Sequence, residues 1–345
     1  MSPKPLIYDL NYEELNAHLD SWQEPNYRVQ QIWEGLYQQF WQSPQEFSQI
    51  PKHLRKKLET HFAFSRLISD KVIESADRQT LKTLFKLPDD QAVEAVLMRY
   101  DKRRTLCIST QAGCAMGCVF CATGQMGFRR NLTSGEIIEQ VLYYARHLAQ
   151  KDEKVTNVVV MGMGEPFHNY DSTLKALKQL NHPNGFNFSA RRFTISTVGL
   201  IPAIKQFAQE QNQINLAISL HAADDELRSS MLPVNDRYPL QDLIQACREY
   251  VDITGRRITF EWALIHQVND TADQAHKFGK LLHGMNCHVN IIPLNPTEGF
   301  SGSGSTEERV IQFQTILETY HIPCTVRLRR GIEIQAGCGQ LAAQT

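Results

Sequence analysis

Three thiols stand close together at Cys114, Cys118 and Cys121, spaced Cys-x-x-x-Cys-x-x-Cys behind an apolar strand expected over 105–110. Structural zinc and complete iron–sulfur ligand sets take four protein ligands, and no fourth follows here at a usual spacing. Three thiolates suit a 4Fe–4S cubane with one iron left open. Such an iron can chelate the amino and carboxylate groups of S-adenosylmethionine, so that one electron breaks a C–S bond while the protein supplies position and electrostatics. Phe120, between the last two thiols, would shield the cluster from water. Structural zinc is the competing reading and lacks a ligand.

A second reactive thiol is expected at Cys338, between Gly337 and Gly339 near the end of the chain. Glycine on both sides predicts a mobile, approachable side chain. Cys107, one strand ahead of the cysteine loop, could face it across the mouth of the fold. A thiol pair beside a cluster suggests covalent chemistry followed by disulfide release. Cys247, Cys287 and Cys324 lie in apolar helix or strand patterns and read as core.

Polar residues recur where strands are expected to end: Gly162-Met163-Gly164-Glu165-Pro166, Ser196, Ser219, His221 and Asn295. Glycine would let the backbone approach a ligand, and an ionised Glu165 could accept from an ammonium or hydroxyl. Each alone could be a helix cap; converging on one rim, they favour a cofactor pocket. Basic doublets at 103–104, 129–130, 191–192, 256–257 and 329–330 would track a nucleic-acid backbone if gathered on one rim, and are otherwise solvated charges. The stretch 298–305 reads as a flexible loop at the mouth, either a cover over substrate or a tolerated insertion.

These residues need a frame. Residues 1–65 read as a helical accessory domain, with Asn11 and Glu14 as a capping pair and Val29, Ile32, Trp33, Leu36, Tyr37 and Phe40 at helical spacing. The basic run 52–57 is a solvated face or a phosphate contact. Residues 66–103 form a β-hairpin region, with strands over 80–87 and 92–98 around a turn at 88–91. From 104 to 345 strands and helices alternate, ending in a strand over 324–328. About six such units predict a partial (β/α)6 barrel, an α/β fold with a parallel sheet and its site at the C-terminal strand ends. With 42% hydrophobic and 21% charged residues and no membrane-length apolar run, a soluble chain is expected. Eight cysteines without an export leader predict a reducing cytoplasm. The net charge of −1 excludes a globally basic binder but not a local basic face.

Over nearly its whole length the chain resembles the RlmN/Cfr family of radical-SAM RNA adenine methyltransferases. The residues that carry the likeness are the cysteine triad within 113–124, Met161 to Pro166, Ser219-Leu220-His221, Asn295-Pro296 and Ala336 to Leu341. The resemblance implies two S-adenosylmethionine molecules per turnover. One methylates Cys338; the other, on the cluster held by Cys114, Cys118 and Cys121, activates that methyl group for addition to an adenine. Glu94 would take the ring proton and Cys107 would release product by a disulfide with Cys338. The cofactor contacts would be Gly164, Glu165, Ser196, Ser219, Leu220, His221 and Asn295. Expected partners are 23S rRNA, tRNA and a flavodoxin or ferredoxin as electron donor, for a cytoplasmic monomer with no membrane association. Without the resemblance, Glu94 reads as an exposed strand carboxylate. C2 of adenine is the expected target; the Cfr-type alternative is C8, and Gly337 replaces the family's usual alanine. A radical enzyme acting on a protein or small molecule is a different-class alternative, and it leaves the Cys338 segment without a purpose.

Overall fold

The structure is a computed structural model that describes residues 4–327 and 330–343. Its frame is one ten-stranded sheet whose strand order follows the chain. Three antiparallel strands lead in: β1 (Ile68–Glu74), β2 (Thr80–Lys86) and β3 (Ala92–Arg99). β3 pairs antiparallel with β4 (Arg104–Cys107), so the expected hairpin region continues into the barrel sheet. Seven strands then run parallel: β4, β7 (Asn157–Val160), β8 (Phe193–Thr197), β9 (Asn215–Ser219), β10 (Ile258–Leu264), β11 (Cys287–Pro293) and β12 (Cys324–Val326). β5 (Gln111–Gly113) and β6 (Phe128–Asn131) form a separate small hairpin around the cysteine loop. Leu328 and Arg329, placed by the sequence in the last strand and the last basic doublet, lie outside the described residues.

Helices cover the sheet because each carries one apolar stripe and a defined start. α1 (Tyr12–Ser21) opens on the expected capping box, Asn11 with Glu14. α2 (Tyr27–Tyr37) and α3 (Lys52–His61) complete the N-terminal block, and α4 (Ala122–Gln125) is one turn after Cys121. α5 (Ser134–Ala149) has the Thr133–Glu136 box, and α6 (Tyr170–Asn181), α7 (Ile201–Gln209) and α8 (Asp225–Met231) follow. α9 (Leu240–Thr254) stops at Gly255 in the left-handed conformation. α10 (Ala272–Leu282) and α11 (Glu307–Thr319) finish the set. α5, α6, α7, α9, α10 and α11 make six strand–helix units, with β12 a seventh strand. The sequence had no place for α8 or the β5–β6 hairpin, which are too short for periodicity to show.

The N-terminal helices share the barrel's core, with Trp33, Tyr37, Leu54 and Leu58 fully buried. Asp9 Oδ1 accepts from Gly135 N at 2.7 Å, satisfying a free amide at the start of α5. Gln179 on α6 donates to the carbonyls of Tyr8 and Leu10. Two residues of the basic run on α3 face Glu24: His53 at 2.9 Å and Lys57 at 3.9 Å. Among the described residues no helix is long and apolar enough to cross a membrane.

Candidate active site

The cysteine loop leaves β4 and is pinched by the β5–β6 hairpin, where a Cβ on Gly113 would overlap the Gly127 carbonyl. Cys114 and Cys118 are buried and Cys121 half-buried. Burial pushes the Cys114 thiol up to about 12 and the Cys118 thiol well above its usual range. Phe120 packs edge-on to His221 at 5.1 Å and against Phe300 at 6.4 Å, which gives the loop its apolar cover. Stretch 298–305 is therefore anchored where flexibility was expected: Phe300 sits in this apolar group, and Ser305 Oγ donates to Asp270 at 2.8 Å.

Beside the loop lies a cavity of ≈ 160 Å³. Six of the seven expected cofactor contacts line it: Gly164, Glu165, Ser196, Ser219, His221 and Asn295, with Cys118, Cys121 and Cys338. Leu220 does not. Strand alternation turns its side chain into the core, fully buried, while its amide donates to Glu261 O at 3.1 Å.

The glycine turn serves the protein's own packing more than was expected. A Cβ on Gly162 would lie 2.7 Å from Ile108 O, and one on Gly164, at φ +101°, would lie 2.5 Å from Gln111 Cβ. Glu165 is a cap: Oε1 accepts from Phe167 N at 3.0 Å and Oε2 from Val198 N at 2.9 Å. Burial raises its carboxyl to about 7. Ser196 and Ser219, at the ends of adjacent strands, bring their hydroxyls within 3.2 Å. His221 Nδ1 accepts from Ala263 N at 2.9 Å, which leaves the proton on Nε2; burial pushes this imidazole down to about 3.

Among the described residues no three His, Cys, Asp or Glu side chains converge on a single ion. A cubane asks for something else, because each thiolate binds a different iron. The donor set fits that group: three thiols on one short loop under an apolar cover. The cavity fits its partner, since buried Asn295 presents an Oδ1 without a hydrogen bond where a ligand amine could donate.

The C-terminal segment closes over this rim. Asn295 Nδ2 donates to Cys338 O at 3.1 Å, and Gln340 Nε2 to Pro296 O at 2.9 Å. Ala122 N donates to Gly339 O at 2.8 Å, and Thr123 Oγ1 to Leu341 O at 2.6 Å. The backbone around Cys338 is thus tied down where mobility was expected. The residue is nevertheless exposed, because it faces the interior cavities, and the mass around them still raises its thiol. Cys107, Cys121 and Cys338 line a second cavity, and burial lifts the Cys107 thiol to about 12. Cys247 and Cys287 are buried as expected, whereas Cys324 is half-buried.

Glu94 departs most from its reading as an exposed strand carboxylate. It is 2% exposed, because α5 covers one face of β3 and the C-terminal segment the other. Lys82 Nζ lies 2.9 Å from Oε1, while Oε2 accepts from Ala342 N at 3.0 Å and Ala343 N at 3.3 Å. It lines neither cavity with Cys338.

Comparison with known proteins agrees with this frame. Residues 108–278 match the model of the Radical SAM superfamily, and residues 7–63 that of the ribosomal RNA large subunit methyltransferase N-terminal domain. A relative from Myxococcus xanthus (strain DK1622), the dual-specificity RNA methyltransferase RlmN 1, is 48% identical over 98% of this chain and 94% of its own. The chain belongs to the RlmN family. The ribosomal RNA large subunit methyltransferase N of Nitrosopumilus maritimus (strain SCM1) is 44% identical over 97% of each chain. A crystal structure of a radical SAM methyltransferase from Sphaerobacter thermophilus matches with a TM-score of 0.97 and 46% identity, over 99% of this chain and 100% of that one. As in radical-SAM chemistry at large, the RlmN family works with a 4Fe–4S cluster and S-adenosylmethionine.

Two residues of this RlmN-family site escaped the sequence reading. Arg228 is fully buried and ties the connections after β8 and β9 together through Val198 O (2.6 Å), Asn235 Oδ1 (2.7 Å) and Leu220 O (3.2 Å). Burial lowers its guanidinium to about 10. Glu261, 4% exposed, accepts from Asn290 Nδ2 at 2.9 Å, with Arg327 Nη1 at 3.6 Å. A lone carboxylate inside the apolar run Ile258–Leu264 was its available signal.

Proposed function

We propose that this protein methylates C2 of an adenine in 23S rRNA, and of an adenine beside the anticodon in tRNA, through an S-methylated Cys338. The placement of Cys338 carries this reading: its thiol lines both the cavity walled by Cys118, Cys121 and Glu165 and the one that holds Cys107. Its neighbours bear the names of dual-specificity RNA methyltransferases. When bound, the cluster and S-adenosylmethionine supply the radical chemistry that activates the carbon. The chain's own residues do the rest. Cys114, Cys118 and Cys121 hold the cluster; Asn295, the Ser196–Ser219 pair, His221 and Glu165 orient the cofactor. Arg327 beside Cys338 opposes the rise of its thiol pKa and so favours the thiolate that must accept a methyl group. Glu94 takes the ring proton once the amides of Ala342 and Ala343 release it, and Cys107 attacks the Cys338 sulfur to free the product. Residues 1–65 act as an accessory RNA-binding block, 66–103 as the strand region that carries Glu94, and 104–345 as the catalytic core. The enzyme works as a cytoplasmic monomer fed by a flavodoxin or ferredoxin.

Cys338→Ala tests the carrier. The variant should keep its iron and its reductive cleavage of S-adenosylmethionine while transferring nothing to RNA, and full RNA methylation would refute the proposal. Mass spectrometry of the modified RNA should find 2-methyladenosine; 8-methyladenosine would overturn the regiochemistry.

A further inference from the structure

The parallel part of the sheet starts at β4 and stops at β12, and among the described residues these two strands do not pair. The seam between them is the open side of the barrel. Behind it lie the cavity with Cys107 and Cys338 and a larger one running down the lumen, which share Tyr100, Val159, Met161 and Arg327. A closed barrel fills this space with branched apolar side chains. Here six strands present Thr105, Asn157, Thr194, Asn215, Thr259 and Thr325, so the lumen is a wet groove.

Its charge is one-sided. Arg103, Arg256, Arg257, Arg327 and Arg330 line the two cavities against the single carboxylate of Glu261, in a chain whose net charge is −1. Arg256 is committed to Gln213 and Asn215. Arg103 and Arg257 are exposed and have no ion-pair partner among the described residues. Tyr100 sits at the seam with the guanidinium of Arg103 at 5.1 Å and that of Arg330 at 4.7 Å from its ring centre. Those contacts hold one cation from each cavity against a ring that lines both. The route over the strand ends is covered by the C-terminal segment on α4 and Pro296.

We propose that the β4–β12 seam is the entry groove for single-stranded RNA. Arg103, just before β4 at the seam, and Arg257, just before β10 at the mouth of the lumen behind it, bind phosphates flanking the target nucleotide, and Tyr100 positions Arg103 and Arg330 beside the flipped base. The inference rests on the proposed function and adds the path by which RNA reaches Cys338. A polyanion with unstacked bases suits a cationic groove with an aromatic at its rim.

The test uses the anaerobic holoenzyme and a fluorescent RNA hairpin with an unpaired loop adenosine, comparing wild type with Arg103→Ala/Arg257→Ala and with Tyr100→Ala. At 0.15 M salt each lost phosphate contact costs about four- to five-fold in affinity, so the double variant should bind roughly 20-fold more weakly. Its log K against log salt slope should fall by about 1.5. The defect should appear in KM for RNA rather than in kcat, with iron content and circular dichroism as for wild type. Tyr100→Ala should share the KM defect and Tyr100→Phe should rescue it. If wild type methylates the hairpin and the double variant matches its affinity and salt slope, the seam is not the entry. If wild type transfers no methyl group to the hairpin but the double variant still loses affinity and salt slope as expected, the proposed function fails and the binding groove stands. An acidic peptide that competes as well as RNA would overturn the choice of partner.

Discussion

Removing Lys82 should do more damage than a surface lysine can. Its side chain is 8% exposed and that of Glu94 3%, with 2.9 Å between the charged atoms. Lys82→Met leaves a buried carboxylate without its cation, a loss of about 3–5 kcal/mol. Unfolding entropy near 2.1 cal/mol/K per residue gives roughly 0.7 kcal/mol/K for a chain of this length, so the melting temperature should fall by about 4–7 °C. The same change frees the carbonyl of Gln335, to which Lys82 donates at 3.2 Å, and loosens the hold of Glu94 on Ala342 and Ala343. Denaturant unfolding of Lys82→Met, Glu94→Gln and the double variant gives the coupling: the double should lose clearly less than the sum of the singles. A Lys82→Met loss below about 1 kcal/mol, or strict additivity, would mean that the pair is open to water, and the account of how the C-terminal segment is held would fail.

Gly164→Ala forces a side chain onto a φ of +101° and into Gln111, whose backbone N would lie 2.8 Å from the new Cβ. It should cost about 1–3 kcal/mol and weaken S-adenosylmethionine binding, measured by calorimetry on the reconstituted enzyme. Glu139 is 3% exposed, accepts from Arg66 N on both oxygens, and has its carboxyl raised by burial from 4.5 to about 7. The folded state therefore binds more protons than the unfolded one between those values, so stability falls as pH rises through that window. The drop reaches roughly 3 kcal/mol at about 1.4 kcal/mol per pH unit. Glu139→Gln should flatten this part of the stability–pH curve, and an unchanged slope would place the titrating group elsewhere.

What the sequence showed and what it hid divide along the range of the interactions. The Asn11 and Thr133 caps, the cysteine loop and the polar strand ends are local patterns, and each stands where its pattern put it. Glu94 was misjudged because period-two reasoning assigns a strand one wet face, and both faces of β3 are covered. Covering the second face takes a segment some 250 residues away. The glycines beside Cys338 read as mobility for the same reason: the bonds from Ala122, Asn295 and Gln340 that hold them are long-range or depend on a fold already made. The basic doublets gather only in part. Arg104 is spent on Glu153, and Arg130 on Glu136 and Asp89, while Arg103, Arg256, Arg257 and Arg330 turn toward the groove.

The carrier role proposed for Cys338 requires it to meet two partners in turn, the cofactor and the base, and a tethered segment looks ill suited to that. The geometry resolves the conflict. The chain is fixed on both sides of Cys338, before it by Gly337 N donating to Gln340 Oε1 and after it by Ala122 N donating to the carbonyl of Gly339, whose φ of +82° suits glycine. What is left free is the thiol, and it lines both cavities. With the backbone held, side-chain rotation, a motion of picoseconds to nanoseconds, is what would turn it from one cavity to the other. Precise anchoring and a change of partner are then compatible, because the backbone supplies the first and the side chain the second.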